Sequence, residues 1–477
     1  MVHWGAPTVP AYAPVENGGL LEIIRDHGWS FYFRNNPYAE WYLNSIRIPD
    51  SPAREYHRKH FGGQPYERFA RRFNDDLSRW DPEHWADLFS EVGARYVVMV
   101  SKHHDGYLMW PSEQKPKSDN FMASRDVVGE LAAAVRERGL KYGVYYSSLL
   151  DWTVQTKPIT RFVDLAFAKT PSEYETYAEH HLHELIDRYE PDVLWNDIGL
   201  PAGVSRRKLF AAYRRTVAEG VLNDRWRQTG RIARTILRFA PFRRMVARAA
   251  RTAILKGRPN WGPGDVPTVE YARRTMLRSR PWELVRGLGR SFCYNAAEPR
   301  ESYLTGVELI HTLVDVVSKN GNLMINVGPR ADGSIPPEQL AALNALSEWL
   351  VDHGEAIFDT RPWHVAEGQT SRGVPVRFTS KPDALYAILL GRPRMLSVAI
   401  KGLDLRKIPR PRRPRGEEDE FVVRLLGTDR DVEWRIEDDA LLIDIPGSYI
   451  QSDAPVVKFS WEPVREKRGR GFYTDVI

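Results

Sequence analysis

Cysteine is nearly missing: Cys293 is the only one among 477 residues. That excludes an intrachain disulfide framework and fits a reducing compartment, or a chain that does without bridges. Also missing is any run of about 18 apolar residues, so the sequence offers no membrane-spanning helix. No signal peptide is visible, and the cytoplasm is the expected location, with a leader upstream of Met1 left open. There is no H-E-x-x-H or comparable ligand set, so neither a metal nor another cofactor is expected.

Acid is absent from one segment. Between Arg225 and Arg258 stand eleven Lys or Arg residues and no Asp or Glu; the whole chain carries +6, so the remainder is net acidic at −5. From Ile232 to Leu255 the arginines are interleaved with Ile236, Leu237, Phe239, Phe242, Met245, Val246 and Ile254. This reads as one or two basic amphipathic helices broken near Pro241. Weak contact of residues 227–258 with an anionic surface is one interpretation. A helical insertion, about residues 227–262, packed on its domain with arginines in water is the other, and the favoured one. Nucleic acid is not an expected partner.

What the chain has in plenty is alternating helix and strand. Asp81-Pro82-Glu83 supplies an N-cap, a proline at the first helical position and acid in the first turn. Trp85, Leu88, Phe89 and Val92 then follow at helical spacing, Gly93 stops the helix, and Tyr96–Val100 reads as a strand. The pattern recurs with a helix from about Asp126 to Arg138 before Tyr142–Tyr146, and another from about Glu173 to Tyr189. Thr305 and Glu308 form a capping box ahead of a helix that Gly321 closes, before Leu323–Val327. Repeats of this kind make a parallel sheet covered by helices, and their number favours a closed (β/α)8-like TIM barrel over residues 1–362. From about 363 to 477 the grammar changes to short runs at turn-like spacing, from Val374–Thr379 to Val456–Trp461. They predict a C-terminal antiparallel β-sandwich, with Arg406–Arg415 as a solvated basic loop.

Candidate chemistry falls at strand ends. Val193–Asp197, bounded by Pro191 and Gly199, reads as a core strand, and barrel enzymes keep their chemistry at the carboxyl ends of such strands. Alone, an Asp there more often caps the next turn. His103 and His104, in Lys102-His103-His104-Asp105-Gly106, follow the strand that ends at Val100, and Gly106 permits a turn. His180, His181 and His183 fall within a predicted helix and are expected at its surface. Three clusters pair an indole with hydrogen-bonding groups: His3-Trp4-Gly5, Tyr38–Tyr42, and Asn223–Trp226. Together with 15 Trp and 21 Tyr in the chain, they are equipment for holding the hydroxyls of a sugar and stacking on its ring.

These segments carry a resemblance. HWGAPTVPAY, NPYAEWY, WDPEHWADLFSEVGARYVVMVSKHHDGYLMWPS, YGVYYS, EPDVLWNDIG, NDRW, GRSFCYN and LVDVVSKNGNLMINVGPRADGSIP cover most of residues 3–363. In that order they resemble the α-L-fucosidases of glycoside hydrolase family 29. The resemblance implies a retaining double displacement on a terminal α-L-fucosyl group of an oligosaccharide or glycoconjugate. Asp197 would be the nucleophile and Glu270 the acid/base, with Glu298 and Glu40 as competing candidates for the second role. His3, Glu40, Trp41, His103, His104, Tyr145, Trp195 and Arg225 would bind hydroxyls or stack, and Phe292 would receive the C6 methyl group. A glycosidase of the same scaffold with another sugar or a transfer preference, and an inactive carbohydrate-binding protein, are the alternative functions. Self-association is compatible with the sequence.

One departure concerns the beginning. The family places a strand before its His-Trp-Gly motif, whereas only Met1 and Val2 precede His3. The expectation is a start downstream of the native one, a gap in the barrel with unpaired backbone groups, and His3 on a frayed terminus.

Overall fold

The computed structural model describes residues 1–116, 118–230, 236, 239–257, 262–272, 277–393, 397–401, 407–408, 419–428, 431–437, 440–445 and 452–463. The chain divides into two compact units, Met1–Leu309 with Gly321–Glu348, and Ile310–Asn320 with Trp349–Ile477.

In the first unit, β1 (Tyr96–Lys102), β2 (Lys141–Ser147), β3 (Val193–Asp197) and β4 (Val221–Leu222) pair in parallel in that order. A second parallel set comprises β5 (Thr268–Glu270), β6 (Trp282–Gly287) and β7 (Gly321–Asn326). Three single-residue bridges join the sets: Asn223 pairs with Val266, and Val2 pairs with both Met99 and Val327. The result is a closed ring, a (β/α)8-like barrel, in which the Val2 segment takes one strand position. Val98, Met99, Tyr142, Val144 and Leu194 are buried along these strands, as parallel strands covered by helices require.

The expected gap is not there. The Val2 N–H donates to Val98 O at 2.9 Å and Val100 N–H donates to Val2 O at 3.2 Å on one side. On the other, Val327 N–H donates to Met1 O at 2.9 Å and His3 N–H to Val327 O at 3.2 Å. Three residues are enough because the barrel needs both ladders satisfied at only one or two rungs here. His3 is accordingly buried rather than frayed.

The helices start where their caps dictate. Asp81 Oδ1 accepts from Glu83 N–H at 2.9 Å at the head of Pro82–Glu91, and Asp126 Oδ1 accepts from Gly129 N–H at 2.9 Å at the head of Val127–Glu137. The Thr305–Glu308 box closes in both directions, at 2.9 and 3.2 Å. In the helix Ser172–Tyr189, His180 is exposed as expected, but His181 is fully buried. Its ring nitrogens meet Tyr146 OH at 3.0 Å and Gln114 O at 2.9 Å, partners from other elements that helical periodicity does not reveal.

The insertion contains a helix, Ala240–Leu255, with Pro241 in its first turn, so that proline starts the helix instead of breaking it. Trp29 Nε1 donates to Ala247 O at 3.0 Å and Arg251 Nε donates to Ile24 O at 2.9 Å, which fastens it to the helices Trp29–Arg34 and Leu20–Asp26.

The second unit holds two antiparallel sheets, one of five strands and one of three. Their inward residues, among them Val376, Phe378, Leu385, Leu425, Leu441, Ile443 and Phe459, share one core, which makes a β-sandwich. Of the basic stretch Arg406–Arg415, only residues 407 and 408 lie among those described.

Closure at Val2 is testable. Val2→Pro removes the N–H that Val98 receives, and should lower unfolding stability by about 1–3 kcal/mol. Val2→Thr, which keeps the backbone donor, should cost less. Equal melting temperatures for the proline variant and the wild type would contradict the ladder.

Candidate active site

Seven of the eight strand positions deliver a side chain to one cavity, at their carboxyl ends or in the loops that follow. Its lining contains His3, Glu40, Trp41, His103, His104, Tyr145, Trp195, Asp197, Arg225, Glu270 and Phe292, so all eleven residues singled out from the sequence meet there. His3, Glu40 and Trp41 come from the segment after Val2; His103 and His104 follow β1; Tyr145 lies in β2; Trp195 and Asp197 lie in β3. Arg225 follows β4, Glu270 ends β5, and Phe292 follows β6. The last strand contributes Asn326, which supports His3 from behind.

Asp197 is held by three donors. Tyr145 OH donates to Oδ2 at 2.7 Å, while Arg225 Nη1 and Ile198 N–H each donate to Oδ1 at 2.8 Å. The same Arg225 Nη1 lies 2.6 Å from Glu270 Oε1. Two contacts to one nitrogen bound the separation: Asp197 Oδ1 and Glu270 Oε1 lie no more than about 5.4 Å apart, within the spacing of retaining pairs and below the 6.5–9.5 Å of inverting ones. The Asp197 side chain is 10% exposed and that of Glu270 22%, so Asp197 sits deeper and Glu270 nearer to water.

Each carboxylate ends its strand in the same way. Ile198, directly after Asp197, has φ 65°, and Tyr271, directly after Glu270, has φ 53°. Left-handed backbone is costly for a β-branched or bulky residue and persists only where its surroundings impose it. Here it turns the chain sharply at the cavity floor and aims Ile198 N–H back at the preceding carboxylate.

Behind the carboxylates stands a buried relay. Arg225 Nε donates to Thr268 Oγ1 at 3.1 Å, and its guanidinium lies 4.5 Å from the Trp195 ring centroid. Trp195 Nε1 donates to Glu283 Oε1 at 3.0 Å, and Tyr96 OH donates to Glu283 Oε2 at 2.8 Å. Tyr145 stacks on Trp195 with centroids 5.2 Å apart.

The histidines have defined roles as acceptors. Burial pushes His3 down to about 4, and burial with neighbouring cationic and histidine groups holds His103 and His104 well below their ordinary value, so all three are neutral near pH 7. His3 Nδ1 lies 2.6 Å from Asn326 Oδ1, which accepts only, so Nδ1 carries the proton and Nε2 is left with a lone pair. Ser147 Oγ gives its hydrogen to Leu150 O at 3.2 Å and so accepts from His104 Nδ1 at 2.6 Å. His104 Nε2, again a lone pair, is 3.7 Å from Asp197 Oδ2. His103 Nδ1 and Tyr38 OH are buried at the cavity without a protein partner, which is where ligand hydroxyls would be received.

His103, His104 and Asp197 are also the one set among the described residues whose metal-ligand atoms lie within 4.8 Å of one another. Both Asp197 oxygens are already taken, and the adjacent guanidinium opposes a second cation. The donor set suits hydroxyls better than an ion.

The competing carboxyls have other partners. Glu40 Oε2 accepts from Cys293 N–H at 2.9 Å and Ser291 Oγ at 3.1 Å, and burial raises its pKa to about 7. Glu298 accepts from Ser291 N–H and Arg290 N–H and is not part of the lining. Phe292 packs against His3, Tyr38 and Tyr271, with centroids at 5.0, 5.3 and 5.6 Å, and forms an apolar wall. Sequence reasoning missed the outer lining: Leu20, Trp29, Phe162, Leu165 and Ile254. Apolar helix residues carry no sign of whether they face a core or a cavity; Tyr38 and Asn326, by contrast, lay inside segments already singled out.

A family model described as Alpha-L-fucosidase matches residues 1–355. The tissue α-L-fucosidase of Bos taurus is 30% identical over 403 residues, covering 82% of this chain and 73% of its own length. The tissue α-L-fucosidase of Homo sapiens is 27% identical over 472 residues, covering 96% and 85%. Among solved structures, the Thermotoga maritima α-fucosidase in complex with a mechanism-based inhibitor aligns with a TM-score of 0.78 at 36% identity, over 96% of this chain and 94% of that one. By sequence, fold and the constellation at the barrel mouth, the chain belongs to the α-L-fucosidase family of glycoside hydrolases, family 29.

Proposed function

We propose that this cavity hydrolyses terminal α-L-fucosyl linkages of glycans with retention of configuration, with Asp197 as nucleophile and Glu270 as acid/base. The observation that carries the reading is the single arginine nitrogen shared by the two carboxylates, which keeps their nearest oxygens closer than the separation an inverting pair needs. Asp197, buried and directed by Tyr145, Arg225 and Ile198, attacks the anomeric carbon and forms a glycosyl ester. Glu270, at the wetter side, gives its proton to the departing oxygen and then takes one from the water that cleaves the ester. Arg225 neutralises charge on both as it passes between them.

Recognition follows from the walls. The Nε2 lone pairs of His3 and His104 accept from sugar hydroxyls, Trp41 offers a ring beside His104 at 5.4 Å, and Phe292 receives the C6 methyl group. A sugar with a 6-hydroxyl would bury an unpaired group there. The roles assigned here fall on residues of one chain outside 227–258, so hydrolysis as proposed draws on neither the anionic-surface contact of that segment nor self-association.

Two experiments test these roles. Asp197→Ala and Glu270→Ala should each lower kcat on an aryl α-L-fucoside, the first by more than about 10³-fold, the second by about 10²-fold or more on poor leaving groups. Azide should rescue both with opposite stereochemistry: a β-L-fucosyl azide from Asp197→Ala, whose open face replaces the nucleophile, and an α-L-fucosyl azide from Glu270→Ala. Rescue of Glu40→Ala instead of Glu270→Ala would reassign the acid/base.

Glu40 gives a pH test. Its pKa is about 7 folded and about 4.5 unfolded, so its contribution is fully present below pH 4.5 and is lost as pH rises through 7. The loss is on the order of 3 kcal/mol. Glu40→Gln does not titrate, so its melting temperature relative to wild type should climb between pH 5 and 8. A difference independent of pH would show that Glu40 is not buried in this way.

A further inference from the structure

The Ala240–Leu255 helix has two distinct sides. Inward, Ala247 O and the Arg251 guanidinium fasten it to the barrel's outer helices, and Ile254 enters the lining of the sugar cavity. Outward, large apolar side chains stand in water. Of the eight such residues exposed among those described, four fall within ten positions: Ile236 at 42%, Phe239 at 62%, Phe242 at 46% and Met245 at 58%. Phe242, Met245, Ala249 and Thr252 form a stripe at helical spacing, with exposed Arg244 and Arg248 beside it. No acid lies between Arg225 and Arg258 in the sequence.

An apolar stripe between arginines restricts the occupant. A second copy of this chain, paired symmetrically, would set Arg244 and Arg248 against their own counterparts, and like charges across an interface repel. A nucleic acid would engage the arginines through phosphates but leave Phe239, Phe242 and Met245 exposed to water. An anionic bilayer satisfies both features: the arginines reach the headgroup phosphates while the phenylalanines and methionine enter the headgroup–acyl boundary. We propose that this face docks the protein onto an anionic membrane surface. Because Ile254 belongs to the same helix, docking brings lipid within about one helix diameter, ~10 Å, of the cavity wall. On the proposed fucosidase reading, that favours fucosyl groups carried by membrane-anchored glycoconjugates; the docking itself does not depend on the reaction.

Co-sedimentation with vesicles tests the proposal. The full-length protein should partition onto phosphatidylglycerol-containing vesicles at least about tenfold more strongly than onto pure phosphatidylcholine, and less so at high salt. Phe239→Ser/Phe242→Ser/Met245→Ser and, separately, Arg244→Gln/Arg248→Gln should each weaken that binding about tenfold. Both variants should keep wild-type melting temperature and aryl α-L-fucoside hydrolysis, which separates loss of docking from loss of fold or of catalysis. Absence of wild-type binding to anionic vesicles, or binding unchanged in both variants, would overturn docking. So would a wild-type dimer, or tight binding to a DNA duplex, that the apolar variant abolishes while vesicle binding persists.

Discussion

One nitrogen, Nη1 of Arg225, holds the active site together. It contacts Asp197 Oδ1 at 2.8 Å and Glu270 Oε1 at 2.6 Å, and so limits the distance between the two groups that must act on opposite faces of one glycosidic bond. Without it, Asp197 would face a second carboxylate while largely buried itself, and an uncompensated buried charge costs on the order of 3–5 kcal/mol. The rest of the site can be read as support for that guanidinium. Trp195 lies against its face, Thr268 receives its Nε–H, and Glu283 with Tyr96 anchors the Trp195 indole.

The barrel makes this support possible because its parallel strands end on one rim. Arg225, Asp197 and Glu270 come from three strand ends, and the ring closes only when Val2 pairs with both of its neighbours. Closure therefore places His3 in the same cavity as Asp197 as directly as any side-chain contact does. The neutral histidines and the rigid strand ends share a purpose: they leave lone pairs and a carboxylate at fixed points around an otherwise aromatic pocket. Such preorganisation lets hydroxyl recognition and charge stabilisation act together without rearrangement.

Much of this was legible in the sequence, and the failures are physical. The caps at Asp81, Asp126 and Thr305 are local hydrogen-bonding devices, so the helices could be placed from a few residues each. The family segments contain ten of the eleven site residues, Glu270 was carried over from outside them, and the structure gathers all eleven in one cavity. His181 was misread because its partners, Tyr146 and Gln114, are remote in sequence and leave no periodic trace. The first strand position was misjudged because closure depends on hydrogen bonds to Val98, Val100 and Val327, not on the length of the segment that supplies them. The place of Ile254 and Trp29 in the lining was missed because an apolar residue on a helix looks the same whether it faces a core or a substrate.

The central claim is that two carboxylates bridged by Arg225 act as a nucleophile and an acid/base, and the anomeric form of the first product tests it most directly. Proton NMR during the first minutes of aryl α-L-fucoside hydrolysis, before mutarotation, should show α-L-fucose appearing first. Initial release of β-L-fucose would mean a single inverting displacement, and would contradict the carboxylate spacing on which this account of the site rests.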